Sequence, residues 1–502
     1  MNRIRLISLI CLLSCGMAVS AQTYERVLRN NLWNDFGNVT GVRQDSVSRS
    51  YAELSGTYED GGFRDTWQAA RAWSAGVSTA SIQHLEKMSL KGSFSFTQTE
   101  GYDMCGSMFI KPGFYPVDVL EFTPGRKTLQ TYAFDGGISY DLASRWRIGA
   151  MMDFESSNIA KRKDLRHSNW CLDMTVSPGF MYHDGDFAIG ANYIFRKTSE
   201  TVEAKQVGIS ETSYYAFLDK GLMYGVHNIW TGSGLHLDED GVKGFPVKDF
   251  SNGAAMQAQY KGLFAEVEYL HTSGTIGEKE FVWFLFPGNE VNASLGYVHE
   301  TDNAKHFARL GFGWKSGTLD ETVLEKITVG GVTTVVGHGQ NRIQTENGMK
   351  FRPEYEYVAN RLEVLAKADI GVKEKSVSQM YPYVNWQSLM SYGADVRVKY
   401  RWTSSLMMTV EAGYAAGKVV EESWLTDGQA GVQTTPFRLQ EYYDWQTEYE
   451  TAPRVSAGLG LRWNFWKGIY AQINGHVTHG FDLIYMIGNS RVGAGITLGY
   501  DF

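Results

Sequence analysis

Residues 390–402 alternate without a break, Met390, Tyr392, Ala394, Val396, Val398, Tyr400 and Trp402 against Ser391, Gly393, Asp395, Arg397, Lys399 and Arg401. A helix would scatter those charges around every face, whereas a strand puts them all on one. The period therefore calls for a sheet with one apolar and one polar side. The same pattern runs through 88–97 (Met88, Leu90, Gly92, Phe94 and Phe96 on one face) and 146–155 (Trp146, Ile148, Ala150, Met152 and Phe154). Two architectures satisfy it. In a soluble sandwich the apolar face is the core; in a membrane barrel it meets lipid and the polar face lines the lumen. Strands of about ten residues or more suit a tilted crossing. Trp73, Trp146, Trp170, Trp314, Trp402 and Trp463 recur at strand ends, where interfacial girdles sit. Glycine and charge share the polar face. These features select the barrel.

Both ends of the chain agree with export to an outer membrane. Arg3 and Arg5, the apolar run Leu6–Leu13 and the small residues Val19-Ser20-Ala21 read as a signal peptide over 1–21, cleaved between Ala21 and Gln22. Leu12-Leu13-Ser14-Cys15 loosely resembles a lipoprotein box and is the competing reading. At the other end Phe502, Tyr500, Leu498, Ile496, Ala494 and Val492 alternate with Asp501, Gly499, Thr497, Gly495, Gly493 and Arg491. A terminal Phe with an aromatic two residues before it resembles the recognition signal of bacterial outer-membrane barrels. The expected location is the cell outer membrane, with its lipid and its barrel-assembly machinery as partners. A net charge of -8 argues against nucleic acid.

Tight turns are predicted near 84–87, 141–145, 183–186, 261–262, 301–304, 359–361, 403–405 and 466–467, each between two alternating runs. Eight hairpins, a first strand near 50–58 and the terminal strand make an all-β, closed antiparallel transmembrane barrel of about 18 strands. Weak segments such as 351–358 would reduce that to 14–16 if they were loops. The domain reading is a signal peptide at 1–21, a periplasmic or lumenal N-terminal segment at 22–46 and the barrel at 47–502. Short turns face the periplasm, and the long connections at 99–127, 197–253, 316–349 and 417–453 face outward. Export removes Cys11 and Cys15, so Cys105 and Cys171 form either one disulfide or two free thiols.

Reaction machinery is not legible. No Gly-x-Ser-x-Gly, His-Glu-x-x-His, phosphate-binding glycine loop or Cys-x-x-Cys occurs, and the eleven histidines lack metal-ligand spacing. The run 236–241 (His-Leu-Asp-Glu-Asp-Gly) lacks the ligand spacing of a calcium loop and reads as a solvated acidic tip. No enzyme activity, cofactor or metal is predicted. The candidate functional residues are the lumen-facing charges: Arg397, Lys399 and Arg401 as a basic stripe, Arg147, Arg454, Arg462 and Arg491 on other strands, and Asp153, Glu266, Glu268, Asp369 and Glu411 with the same parity. They either bias which solutes pass or pair with one another to hold the wall together.

Ser107-Met108-Phe109, Pro112-Gly113-Phe114-Tyr115-Pro116, Leu120-Glu121-Phe122-Thr123-Pro124-Gly125 and Gln130-Thr131-Tyr132, with the terminal strand, resemble an uncharacterised family of Bacteroidetes outer-membrane β-barrel proteins, a domain of unknown function. The resemblance implies fold and location and carries no activity or binding residues. A distant, generic likeness is to transporters of the long-chain fatty-acid type, through a pre-barrel segment and a mid-sized barrel. The expected function is a passive channel or transporter for small solutes. The alternative is a closed barrel whose outer loops, rich in Tyr214, Tyr215, Phe217, Tyr224 and Trp230, bind a surface ligand or dock a partner.

Overall fold

The computed structural model describes residues 23–35, 37–205, 214–230, 244–278, 281–380, 383–425 and 439–502. The signal-peptide reading, with Ala21 and Gln22, and the acidic run at 236–241 lie outside the described residues.

One antiparallel sheet contains twenty strands. Strand β7 (Phe187–Lys205) pairs directly with β10 (Phe245–Tyr260), so β8 (Tyr214–Asp219) and β9 (Gly225–Trp230) leave the wall as a hairpin. Twenty less two leaves an 18-stranded wall. It closes where β1 (Arg49–Gly61) pairs with β20 (Ser490–Asp501) in the register Ala52↔Tyr500 to Tyr58↔Ala494. Each of the eight predicted tight turns separates two consecutive strands, among them β16 (Tyr383–Arg401) and β17 (Leu406–Ser423), and β18 (Arg454–Trp466) and β19 (Ile469–Gly480).

The alternation sorts the wall as expected. On β16, Tyr392, Val396 and Tyr400 are exposed outward, with Trp402 just past the strand. Ten residues separate Trp402 from Tyr392; at about 3.4 Å per residue and a tilt near 40° they span roughly 25 Å, the height of a lipid-facing band. Tyr140, Trp146, Tyr260, Tyr297 and Trp463 extend the aromatic ring at the short-turn end, and Tyr58, Trp170, Tyr193, Tyr269 and Tyr414 the ring at the far end. The protein is an outer-membrane β-barrel.

The long outward connections differ from expectation. Much of 99–127 and 316–349 is strand: β3 (Met88–Ser107) and β4 (Asp118–Ala143) run deep into the first, and β13 (Ala304–Val329) with β14 (Val332–Ala359) forms one continuous hairpin through the second. The weak segment 351–358 belongs to β14. At 26 and 28 residues these two strands far exceed the roughly ten that a crossing needs. Beyond the bilayer neither face is forced to be greasy, so the period-two signal fades while the ladder hydrogen bonds persist. Within 417–453 the chain instead forms helix α2 (Leu439–Thr451), numbered after the N-terminal helix α1 (Tyr24–Asn30).

This geometry predicts that Val396→Arg, mid-wall and outward, costs about 2–4 kcal/mol in unfolding from lipid vesicles. Thr409→Arg, on the lumen side of β17, should cost clearly less by the same measurement.

Candidate functional site

The lumen is occupied from the short-turn end. Helix α1 is capped by Thr23, whose hydroxyl accepts the Arg26 N–H, and two 3-10 turns follow at Leu32–Asp35 and Val39–Gln44. The segment puts its apolar side chains against the wall: Tyr24, Val27, Val39 and Val42 pack on Ala80 and Ile82, and Leu32 and Trp33 on Met181, Ala188, Phe264 and Phe307. Each fully buried aliphatic side chain contributes about 1.5–3 kcal/mol. The receiving wall residues carry lumen parity near the tight turns, so they break the polar-inside rule only where the segment covers them.

Glycines complete the fit. A Cβ on Gly149 would stand 2.8 Å from a Val39 methyl, one on Gly179 2.7 Å from Asn38, and one on Gly190 2.8 Å from Asn38 and 3.1 Å from Trp33. Strand glycine thus marks a close approach here. Inside the segment, Gly41 lies against Trp33, where any Cβ would meet the indole side chain at 2.2 Å.

Polar contacts then lock the position. Arg26 Nη1 lies 2.9 Å from Glu356 and Arg29 Nε 3.1 Å from it, while Arg29 and Arg309 share Glu354. The Glu356 side chain is only 4% exposed. A carboxylate so buried needs its cations, because an uncompensated charge there would cost several kcal/mol. Asn38 donates to Gln257 at 3.0 Å, and Arg43 and Arg147 meet on Asp141 at 2.9 and 3.0 Å. On the opposite wall Glu25 reaches Lys399 Nζ at 2.7 Å and Arg397 Nη2 at 3.3 Å. Burial opposes ionisation of Glu25, but Lys399, Arg397 and Arg29 outweigh it and hold the carboxyl below its usual range.

Beside α1 a cavity of about 930 Å³ opens against β1 and β16–β19, within the size range of small-molecule sites. Of the twelve charges singled out from the sequence as lumen-facing candidates, Arg397, Lys399, Arg401, Glu411 and Arg462 line it. The rest lie elsewhere. Arg147 is tied to Asp141, Asp153 faces Asp135 across the ladder between β4 and β5 (Trp146–Lys161), Asp369 faces Gly393, and Arg454 donates to the Tyr449 carbonyl. Glu266 accepts from Gln257, Glu268 from Asn292, and Arg491 pairs with Glu59. Arg462 pairs with Asp501 and stacks over Tyr470 at 3.4 Å. Most of the charges therefore divide between a cavity lining and ties within the wall, with Asp153 and Asp369 set instead opposite an acid and a glycine. Sequence reasoning missed Arg26, Arg29, Glu354 and Glu356; the signal that could have found them was the run of apolar residues with lumen parity near the turns.

A second filling enters from the far end. Hairpin β8–β9 joins β4 through Asp118↔Asp219 to Glu121↔Ala216. Met108, Phe109, Tyr115 and Leu218 pack on inward Phe245, Val247, Ile276 and Leu319, and Leu120, Phe217 and Met223 on Leu439 and Tyr443 of α2. Gln344 donates to the carbonyls of Pro116 and Lys220, tying the cap to β14. Phe217 and Tyr224, expected as exposed loop aromatics, are buried in this cap; the side chains of Tyr214, Tyr215 and Trp230 lie outside the described residues. Below the cap, Glu290, Lys315, Glu346, Lys373 and Glu450 line a smaller cavity of about 380 Å³.

Cys105 and Cys171 are buried free thiols, so the second of the two alternatives is the one observed. Cys105 lies in β3 and Cys171 in β6 (Arg166–Asp184), with β4 and β5 between them. Three strand spacings of about 4.8 Å exceed the roughly 7 Å that a disulfide bridges.

Among solved structures, the fold overlaps in part with other barrels. A ferric yersiniabactin uptake receptor, FyuA, from Yersinia pestis aligns at TM-score 0.45 and 9% identity, covering 91% of this chain and 80% of that one. The copper transporter OprC aligns at 0.42 and 8%, with the same coverage. OccAB4 from Acinetobacter baumannii aligns at 0.36 and 10%, covering 91% and 99%. No curated protein matches the sequence. A family model described as a family of unknown function, DUF6850, matches residues 39–502, and the chain belongs to that family.

Two outcomes follow from the fit of the N-terminal segment. Gly190→Leu should displace the turn around Trp33 and Asn38 while the barrel still shows heat-modifiable gel migration, read as faster proteolysis within 23–44. Acidification should loosen α1 as well. A depressed carboxyl stabilises the docked state above its ordinary value of 4.5 and loses that contribution as pH falls below it. Protection from amide exchange over 24–30, taken relative to the intrinsic rate at each pH, should therefore fall more between pH 7 and 3.5 in the native chain than in Glu25→Gln.

Proposed function

We propose that this DUF6850 member is a passive transport protein of the outer membrane, passing small polar solutes through a lumen that its own N-terminal segment obstructs at rest. The observation that carries the reading is the charged cavity of about 930 Å³ between α1 and the β16–β19 wall. A barrel interior that served only to be filled would be packed with side chains at this level. Here it is polar, roomy and bounded on one side by a segment held through ion pairs, hydrogen bonds and apolar contacts, with no covalent cross-link to the wall. An 18-stranded wall is wide enough to hold an aqueous path once such a segment moves.

Export by cleavage between Ala21 and Gln22, a Bacteroidetes source, and handling of the terminal strand by the assembly machinery belong to the same proposal. So do the surrounding lipid and a small solute as its partners. It requires neither a catalytic step nor a cofactor. A second reading, a closed barrel acting as a surface component, is favoured by one observation: the cap around Phe217, Met108 and Tyr443 is packed like a core.

Single-channel recording in planar bilayers separates the two. The native chain should show rare, small openings, and a variant lacking 23–44 should conduct continuously, with several-fold higher conductance. A folded, deleted barrel that stays silent would abandon transport in favour of the surface reading.

A further inference from the structure

Glu25 is the one acidic residue of α1, and its carboxylate sits across two wall cations, Lys399 at 2.7 Å and Arg397 at 3.3 Å. The contact is unlike the other anchors of the segment. Glu356, at 4% exposure, is sealed beneath its arginines, whereas the Glu25 side chain stays half exposed and faces the large cavity. We propose that Arg397 and Lys399 form a binding site for the carboxylate of a small monocarboxylate solute, which Glu25 fills as an internal substitute until solute displaces it. This inference rests on the transport reading and names its substrate class.

Three features support it. The two cations lie two residues apart on one face of β16, so a single carboxylate bridges them, as that of Glu25 does. Space is present beside them: the cavity that they share with Arg401 and Arg462 is several times the volume of a four-carbon acid. Finally, the register sets the charge that the site accepts. Glu411 stands directly across from Arg397 on β17, and Glu363 directly across from Lys399 on β15 (Leu362–Met380). These flanking acids repel a second negative charge, so the site discriminates against phosphate and dicarboxylates by repulsion as much as it attracts a single carboxylate.

Displacing Glu25 removes the tie between α1 and the β16 wall and leaves the Arg26–Glu356 and Arg29–Glu354 anchors to β14, two strands along the wall, in place. Solute binding therefore loosens one edge of the segment next to the cavity, coupling occupancy to opening without expelling the whole plug.

The test is isothermal titration of sodium butyrate into the full-length protein in detergent, with sodium phosphate in parallel and heat-modifiable migration as the check on folding. Relief of an internal competitor of this exposure should tighten butyrate binding in Glu25→Gln by roughly two- to fivefold. The double variant Arg397→Gln/Lys399→Gln should lose butyrate binding. Phosphate should bind none of them measurably. Equal butyrate affinity in the native chain and Glu25→Gln, binding that survives the double variant, no butyrate binding at all, or preference for phosphate would each overturn the site. Should the double variant misfold, the single Glu25 substitution still decides. The two readings fail separately: continuous conductance in the barrel lacking 23–44 without butyrate binding removes the site and keeps transport. Butyrate binding in a chain whose deleted form stays silent does the reverse.

Discussion

Hydrocarbon offers no hydrogen-bond partner, and the rest of this structure depends on that constraint. A peptide group exposed to it unpaired would cost several kcal/mol, so a sheet that crosses a bilayer has to close on itself. Closure here is the pairing of β1 with β20, which gives the first strand of the wall and the last a complete ladder. Once the wall is closed, its outer face is a lipid surface and its inner face is free to vary. The alternation, the aromatic rings and the even strand count all follow from that division.

Inside, different physics applies, because water and side chains can satisfy what lipid cannot. The lumen is filled by two devices with different chemistry. Near the tight turns, a short N-terminal segment is wedged by glycine-lined space on β4–β7 and by ion pairs to β14 and β16. At the far end, apolar side chains from the 108–117 connection, the start of β4, β8–β9 and α2 build a core against the outer ends of the strands. Charged anchors whose partners can be exchanged for solute or solvent suit a part that moves; a dry core suits one that stays. The large cavity lies against the N-terminal segment.

How much could be read in advance follows from the same division. The eight tight turns, the 18-strand wall and the lumen parity of Arg397, Lys399, Arg401, Glu411 and Arg462 were legible, since lipid imposes period two on every crossing segment. The long outer connections were not, because strands beyond the bilayer are under no such rule and β13–β14 continues as ladder through a stretch without clean alternation. Phe217 and Tyr224 read as exposed loop aromatics for want of any sign that the loop folds back into the mouth. The Glu354–Glu356 cluster escaped notice because its partners, Arg26 and Arg29, lie more than 300 residues away in the chain.

By itself the sequence determined the wall: which residues face lipid, where the strands turn, and that the chain closes as a barrel, all consequences of local patterning against one apolar solvent. Only the tertiary structure decided what the wall encloses. Whether Arg397 meets solvent, a neighbouring strand or Glu25 depends on where a distant segment comes to rest. That position is set by shape, in the glycine recess and the apolar wall patch, and by charge pairing between residues with no fixed spacing along the chain.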